Sequence, residues 1–266
     1  MKSSNLALTF KKCSEENRPA LLTYTVSGDP SKKISFSILK TISKNADIIE
    51  LGFAHNTPIA DGGEIQNSAY RAIKNGTKLK DTFKIVEKFK KTQNKKPIIL
   101  MGYWNLILQY GENKFISKCK KSGVDGLIVV DLPYPVNKKF SKKCKKSKIT
   151  FVQLLSPTTS NKRMVKIIKD SQMLYYISML STTGGKLKVS PKKILKNYKK
   201  IKNLAKSKNC VIGFGITSKN ISSFKSADGC VVGSEICKKI SESIKNRQNP
   251  VTNVSYMVKK LKRKII

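Results

Sequence analysis

The sequence has few acidic residues. Its 266 positions hold 16 Asp and Glu against 54 Lys and Arg, which gives a formal net charge of +38. Such a balance would ordinarily suggest a nucleic acid or an anionic membrane surface as the partner. The lysines, however, are scattered through nearly every predicted helix, and few arginines are available to read base edges. We therefore expect no specific nucleic-acid partner, and we interpret the charge as a compositional bias of tolerant surface positions.

Metal-binding and disulfide patterns are also missing. Histidine occurs once, at position 55, and the six cysteines include no Cys-x-x-Cys pair. They stand at positions 13, 119, 144, 210, 230 and 237. Cysteines with these spacings are typical of reduced, mostly buried thiols in a reducing compartment. The sequence therefore predicts neither a disulfide framework nor a metal site.

Long apolar runs are absent as well. No stretch reaches the roughly 18 apolar residues that would span a bilayer, and the amino terminus lacks the apolar core of a secretory signal. Residues 1–12 are too short and irregular for a transit peptide. We expect no membrane association and a protein that works where it is made, in the cytoplasm or, if the chain is encoded by an organelle, in the plastid stroma.

The sequence does contain eight short, nearly continuous apolar runs. They cover residues 20–27, 47–52, 97–103, 124–131, 149–154, 173–178, 210–214 and 229–232. Lysine-rich segments between them carry apolar residues three or four positions apart, as at Leu79, Phe83, Val86 and Phe89, which is helical spacing. Continuous apolar strands are expected when both faces of a parallel sheet are covered. The pattern predicts an α/β fold, a (β/α)8 TIM barrel with an extra amino-terminal helix, forming one domain over residues 1–266.

Two carboxylates stand out at the second apolar run. Glu50 lies between Ile49 and Leu51, and Asp61 follows eleven residues later, just before two glycines. A charge in a dry interior costs several kcal/mol, so such a glutamate is paired, protonated or facing a cavity. A lone Glu near a strand end is more often salt-bridged than catalytic. Because barrels keep catalytic groups at the carboxyl ends of their strands, we interpret this pair as candidate catalytic residues.

Glycine-bearing turns follow the seventh and eighth apolar runs. Gly213 and Gly215 flank Phe214 in the first turn, and Gly233 precedes Ser234 in the second. Glycine lets backbone N–H groups approach an anion closely, and a following helix adds its positive end. Loops after strands seven and eight commonly form a phosphate site in barrels. The pattern predicts a small phosphorylated substrate, with Gly184 and Gly185 completing the cradle.

A series of short segments carries a family resemblance in its order and spacing. The segments are SGDP at 27–30, IELG at 49–52, PIADG at 58–62, IQ at 65–66 with RA at 71–72, MGYWN at 101–105, VDLP at 130–133, YYIS at 175–178, TG at 183–184, GFGI at 213–216 and VGS at 232–234. Together they resemble the tryptophan synthase alpha subunit family over nearly the whole chain. The resemblance implies a lyase of L-tryptophan biosynthesis that cleaves indole-3-glycerol phosphate to indole and glyceraldehyde 3-phosphate by a retro-aldol reaction.

The resemblance also assigns roles to residues. Glu50 would be the general acid at indole C3 and then the base for the glycerol hydroxyl, while Asp61, on a more polar loop, would stay ionised and accept the indole N–H. The residues expected to bind the substrate are Tyr175, Thr183 and Tyr103, with Thr183 on the sixth loop. Those expected to hold the phosphate are Gly184, Gly215, Gly233 and Ser234. Tyr176 competes with Tyr175, because adjacent strand residues face opposite sides.

The implied partner is the beta subunit, in a two-alpha two-beta heterotetramer. Pyridoxal phosphate would belong to that partner, and we expect no cofactor in this chain. Residues 54–57 read AHNT where the family usually has Pro-Phe-Ser-Asp, and Ser181 and Thr182 replace Gly and Val. We expect the first departure to affect coupling to the partner and the second to affect loop closure. His55 is expected to pack as an aromatic. The alternative is a catalytically weak scaffold that activates the beta subunit.

Overall fold

Eight parallel strands form a closed barrel in sequence order in the computed structural model, which describes residues 4–178 and 189–266. The strands are β1 (Ala20–Val26), β2 (Ile48–Gly52), β3 (Ile98–Gly102), β4 (Gly126–Val129), β5 (Thr150–Leu155), β6 (Met173–Ile177), β7 (Cys210–Gly213) and β8 (Gly229–Val232). Each pairs in parallel with its neighbours, and β8 closes onto β1. The TIM barrel predicted from the eight apolar runs is confirmed.

Helices surround the barrel. They are α1 (Asn5–Glu15), α2 (Lys32–Ile42), α3 (Gly63–Lys74), α4 (Leu79–Thr92), α5 (Trp104–Tyr110), α6 (Glu112–Ser122), α7 (Lys138–Lys146), α8 (Asn161–Asp170), α9 (Pro191–Leu204), α10 (Ser234–Lys245) and α11 (Pro250–Arg263), with a 3-10 helix at Ile221–Phe224. No helix among the described residues is long and apolar enough to cross a membrane. The extra amino-terminal helix, α1, is present, as the sequence predicts.

Strand alternation separates an inner from an outer core. In β2, Ile48 belongs to the inner cluster, whereas Ile49 and Leu51 belong to the outer one, between strands and helices. Leu6 of α1 joins the inner cluster, and Asn5 of the same helix donates a hydrogen bond to the residue just before β4. The extra helix therefore closes the amino-terminal end of the barrel, and the opposite end is left for a site.

The apolar stripes of the helices form the outer core. Phe83, Val86 and Phe89 of α4 are fully buried, and the ring of Phe83 packs edge-on against Phe115 of α6 at 5.6 Å between centroids. Burying one such side chain contributes about 2 to 3 kcal/mol. These contacts hold the helices on the barrel and leave their lysines at the surface.

Serine side chains mark the starts of four helices. Each accepts a hydrogen bond from the backbone N–H three residues on, as an N-cap does, and is worth about 1 kcal/mol. These residues are Ser4, Ser31, Ser160 and Ser190. Helices α3 and α10 instead follow Gly62 and Gly233, without a side-chain cap. Their first N–H groups are therefore open to other acceptors.

Three aspartates at the amino-terminal end join neighbouring strands. Each directly precedes a strand and accepts both a backbone N–H of the preceding strand and a lysine ammonium. They are Asp47 with Leu21 and Lys262, Asp125 with Ile98 and Lys90, and Asp228 with Cys210 and Lys202. Several of the scarce acids thus connect the strands of the barrel itself.

Candidate active site

A cavity of about 210 Å³ lies at the carboxyl ends of the strands. It brings together six of the residues predicted for the site, which are Glu50, Asp61, Tyr175, Gly215, Gly233 and Ser234. The carboxylates and the glycine turns therefore face one space, as a single ligand would require.

Glu50 points into the barrel from β2 and is only 1% exposed. Neither of its carboxyl oxygens has a hydrogen-bond partner among the described residues. Burial raises the pKa of Glu50 from 4.5 to about 8, because an ionised carboxylate is poorly solvated there. At pH 7 this side chain is mainly neutral, so it carries a proton that it can donate.

Asp61 lies on the loop between β2 and α3. Its Oδ2 accepts a hydrogen bond from the hydroxyl of Tyr103 at 2.9 Å, whereas Oδ1 is buried without a partner among the described residues. Burial raises the pKa of Asp61 from 3.8 to about 6, and the Tyr103 hydrogen bond opposes that rise. Asp61 is therefore mainly ionised at pH 7, with one oxygen available to accept a proton donor.

The surroundings of Asp61 differ from the polar loop expected from the sequence. The side chain is 9% exposed, because Tyr103 comes across from the end of β3 and covers it. The same tyrosine oxygen accepts the N–H of Ala60 at 3.1 Å. Tyr103 does not line the 210 Å³ cavity. Tyr103 therefore contacts Asp61 from outside this cavity and orients its carboxylate, and the predicted contact of Tyr103 with the substrate stays a prediction.

Tyr175 and Tyr176 point in opposite directions from β6. Tyr175 lines the cavity, whereas Tyr176 belongs to the outer core, where its hydroxyl accepts a hydrogen bond from Nδ2 of Asn197 at 3.1 Å. The Tyr175 hydroxyl lies over Gly213, where a Cβ atom would come within 1.9 Å of it. Tyr175 is therefore the tyrosine in position to contact a ligand, and its place depends on the absence of a side chain at 213.

Tyr24 is a cavity residue that the sequence did not single out. It points inward from β1, opposite Glu50 in the strand register, and its hydroxyl occupies the space that a Cβ atom on Gly52 would need. Burial raises its pKa well above the usual value, so the hydroxyl stays neutral. In the sequence, a tyrosine in a buried strand looks like an ordinary core residue. Only the pairing register of β1 with β2 shows that it lies next to Glu50.

The glycine turns form the other end of the cavity. Phe214 and Gly215 adopt left-handed backbone angles, with φ of +65° and +70°, which turn the chain sharply after β7. The N–H groups of Gly215, Gly233 and Ser234 donate no hydrogen bond to a described residue. Because Ser234 also begins α10, the positive end of that helix faces the cavity. Free N–H groups at a helix start are a ready anion site.

Other predicted residues lie elsewhere. Thr183, Gly184 and Gly185 are outside the described residues, so their predicted roles stay predictions. The ring of His55 packs on Tyr103, with centroids 5.0 Å apart, as an aromatic packing residue would.

Comparison with known proteins identifies the family of the chain. Residues 10–266 match the model of the family described as "Tryptophan synthase alpha chain". The chain is 69% identical over 263 residues to the tryptophan synthase alpha chain of Pelagibacter ubique (strain HTCC1062), which covers 98% of this chain and 99% of that protein.

Solved structures agree with this match. The fold is similar to that of tryptophan synthase subunit alpha from Legionella pneumophila str. Paris, with a TM-score of 0.91, 29% identity and 99% of both chains covered. It is also similar to a chain of the tryptophan synthase complex from Pyrococcus furiosus, with a TM-score of 0.81, 33% identity, and 92% and 98% of the two chains covered. On the strength of the family match and the 69% identity, the chain belongs to the tryptophan synthase alpha chain family.

Proposed function

We propose that this chain cleaves indole-3-glycerol phosphate to indole and glyceraldehyde 3-phosphate with Glu50 as general acid and base and Asp61 as the acceptor of the indole N–H. The lyase reaction is that of the family to which the chain belongs. One observation supports the two roles most strongly. Two buried carboxyls in the same cavity have pKa values of about 8 and about 6, on either side of neutrality.

The reaction needs a proton at indole C3 before the carbon–carbon bond breaks. Neutral Glu50 gives its proton to C3, and the positive charge that forms at the ring nitrogen is stabilised by ionised Asp61, whose Oδ1 is free to accept the N–H. Glu50, now a carboxylate, takes the proton of the glycerol hydroxyl next to the breaking bond. The bonding pair returns to the ring, indole leaves, a carbonyl forms, and Glu50 regains its proton.

The phosphate is proposed to bind at the glycine turns. Support comes from the N–H groups of Gly215, Gly233 and Ser234, which donate to no described residue, and from the positive end of α10. Gly184 remains part of this proposal through the family resemblance alone. Tyr175, fixed over Gly213, is proposed to position the ring between the two ends.

Substitution of Glu50 tests the catalytic role. We expect Glu50→Gln to lower the rate of indole release by at least about 100-fold, because a positioned acid and base contributes about 100- to 10,000-fold. Tyr176→Phe is the control, since it removes a hydroxyl of similar burial that faces away from the cavity. Equal rates for wild type and Glu50→Gln would overturn the assignment. Stimulation of a beta subunit by a wild-type chain without lyase activity would favour the scaffold alternative.

A beta subunit is the proposed partner, in a two-alpha two-beta assembly. The similar structure from Pyrococcus furiosus is of a tryptophan synthase complex. In this chain, exposed apolar side chains follow three adjacent strands, Ile59 after β2, Leu108 after β3 and Val136 after β4, with 69%, 49% and 69% exposure. Grouped apolar side chains on one rim suit a protein partner. Pyridoxal phosphate is proposed to belong to that partner, with no cofactor in this chain.

The cytoplasm is the proposed location. The relative with 69% identity comes from the bacterium Pelagibacter ubique, which favours a bacterial cytoplasm over a plastid stroma. Fractionation of the source cells, followed by an antibody against this chain, would test the proposal.

A further inference from the structure

Glu235 places a carboxylate beside the proposed phosphate site. It lies in the first turn of α10 and lines the cavity together with Gly215 and Ser234. A negative charge there repels a phosphate, so its presence needs a physical reason.

The carboxylate connects the first turn of α10 to the loop after β7. Oε2 of Glu235 accepts the backbone N–H of Ser218 at 2.6 Å, and Oε1 accepts the Ser218 hydroxyl at 2.6 Å. Ser218 belongs to the loop after β7, whereas Glu235 follows β8. Both oxygens are therefore committed to the neighbouring loop.

Hydrogen bonds within the loop after β7 connect its Ser218 end to Gly215, which lines the cavity. Oδ1 of Asn220 accepts the N–H of Thr217 at 2.8 Å, and Nδ2 of the same side chain donates to the carbonyl of Gly215 at 2.8 Å. A continuous set of hydrogen bonds thus runs from α10 to Gly215. The N–H groups of Gly215, in the loop after β7, and of Ser234, at the start of α10, donate to no described residue and are held at a fixed separation.

We propose that Glu235 is a positioning residue for the substrate phosphate. By fastening Ser218, it sets the Gly215 turn against the start of α10, so that N–H groups from both loops converge on one anion. The gain in phosphate binding from this ordered arrangement exceeds the loss from repulsion between the Glu235 carboxylate and the phosphate. The proposal rests on the proposed function, because it takes the anion to be the phosphate of the substrate.

Two substitutions of Glu235 distinguish its effect on the order of the loop after β7 from the effect of its negative charge on the phosphate. Glu235→Ala removes both hydrogen bonds and the charge, and we expect KM for indole-3-glycerol phosphate to rise about tenfold or more with kcat within about twofold, since hydrogen bonds to charged groups are among the stronger ones. Glu235→Gln removes only the charge, because its amide can still accept from the Ser218 N–H and donate to the hydroxyl. We expect its KM to equal or fall below the wild-type value.

A purely electrostatic role would give a different pattern. Removal of repulsion alone would lower KM in both variants, and that result, or a KM within twofold of wild type for Glu235→Ala, would overturn the proposal. A KM as high for Glu235→Gln as for Glu235→Ala would also overturn it. The matched control is Glu242→Ala on the same helix, where the acid pairs with Lys239 and lies outside the cavity.

Direct binding keeps the test independent of catalysis. Calorimetry with glycerol 3-phosphate as the probe should show the same order of affinities, with Glu235→Ala weakest. Ser218→Ala, which removes only the hydroxyl bond, should raise KM about threefold, and an unchanged KM there would contradict the proposal. If wild type neither binds the probe nor cleaves the substrate, the proposed function fails. If wild type does both and the Glu235 variants match it, only the role of Glu235 fails.

Discussion

Replacing Glu50 by glutamine should stabilise the protein while it removes activity. Glu50 is 1% exposed and its oxygens have no partner among the described residues. Its pKa is about 8 in the folded protein against 4.5 for the ordinary side chain. The folded state therefore binds more protons than the unfolded state between these pH values, and the stability of the wild type falls as the pH rises through this interval.

The size of the expected stability difference follows from the change in the pKa of Glu50 on folding. One pKa unit corresponds to about 1.4 kcal/mol. Because Glu50 is ionised in the unfolded chain but stays mainly protonated when buried, the wild type loses about 3 kcal/mol of stability at pH 7 and about 4 kcal/mol at pH 8. Well below pH 4.5 the carboxyl is protonated in both states and this loss of stability vanishes. Glutamine has nearly the same shape and no charge at any pH. The stability of Glu50→Gln relative to wild type should therefore increase by about 3 to 4 kcal/mol between pH 5 and pH 8.

Urea unfolding at pH 5, 6, 7 and 8 measures this difference. At pH 7 we also expect the melting temperature of Glu50→Gln to exceed that of wild type by roughly 6 to 12 °C. Glu15→Gln on α1 is the control, because Glu15 forms a surface pair with Lys11 at 3.8 Å and should change stability by less than about 1 kcal/mol at every pH. A stability difference between Glu50→Gln and wild type that does not vary with pH would refute the reasoning.

Three further results should follow. The rate of cleavage should rise with pH near 6 and fall near 8, since one cavity carboxyl must be ionised and the other neutral, and a monotonic profile would contradict both roles. Tyr103→Phe should move the acidic limb to higher pH, because it removes the hydrogen bond that lowers the pKa of Asp61; a fixed limb would exclude that contact. Gly213→Ala should lower kcat/KM at least about tenfold by displacing Tyr175 and cost about 1 to 3 kcal/mol of stability, whereas Gly63→Ala, with open space around it, should do neither.

Glu50 shows what the sequence could reveal about the site. A glutamate inside an apolar run must lie in a strand with apolar neighbours, and a count of eight such runs predicts a barrel whose carboxyl ends hold the site. Both inferences depend only on the local sequence pattern and on the number of strands, and both can be read from the sequence without knowledge of tertiary contacts. The glycine turns after the seventh and eighth runs were found in the same way.

Contacts between residues far apart in the sequence could not be predicted in this way. The burial of Asp61 depends on Tyr103, which lies 42 positions away in the sequence. No local sequence pattern predicts that these two side chains form a hydrogen bond. Alternation within β6 predicts that Tyr175 and Tyr176 face opposite sides but does not tell which faces inward. The two hydrogen bonds from Ser218 to the Glu235 carboxylate likewise connect residues 17 positions apart, in the loop after β7 and in α10, and no local sequence pattern predicts them.

The most direct measurement is a structure of Glu50→Gln with indole-3-glycerol phosphate bound. We expect the indole N–H within hydrogen-bond distance of Asp61 Oδ1 and the phosphate oxygens at the N–H groups of Gly215, Gly233 and Ser234. A ligand bound in the reverse direction, or bound in a different cavity, would contradict the claim that these two groups hold opposite ends of one molecule.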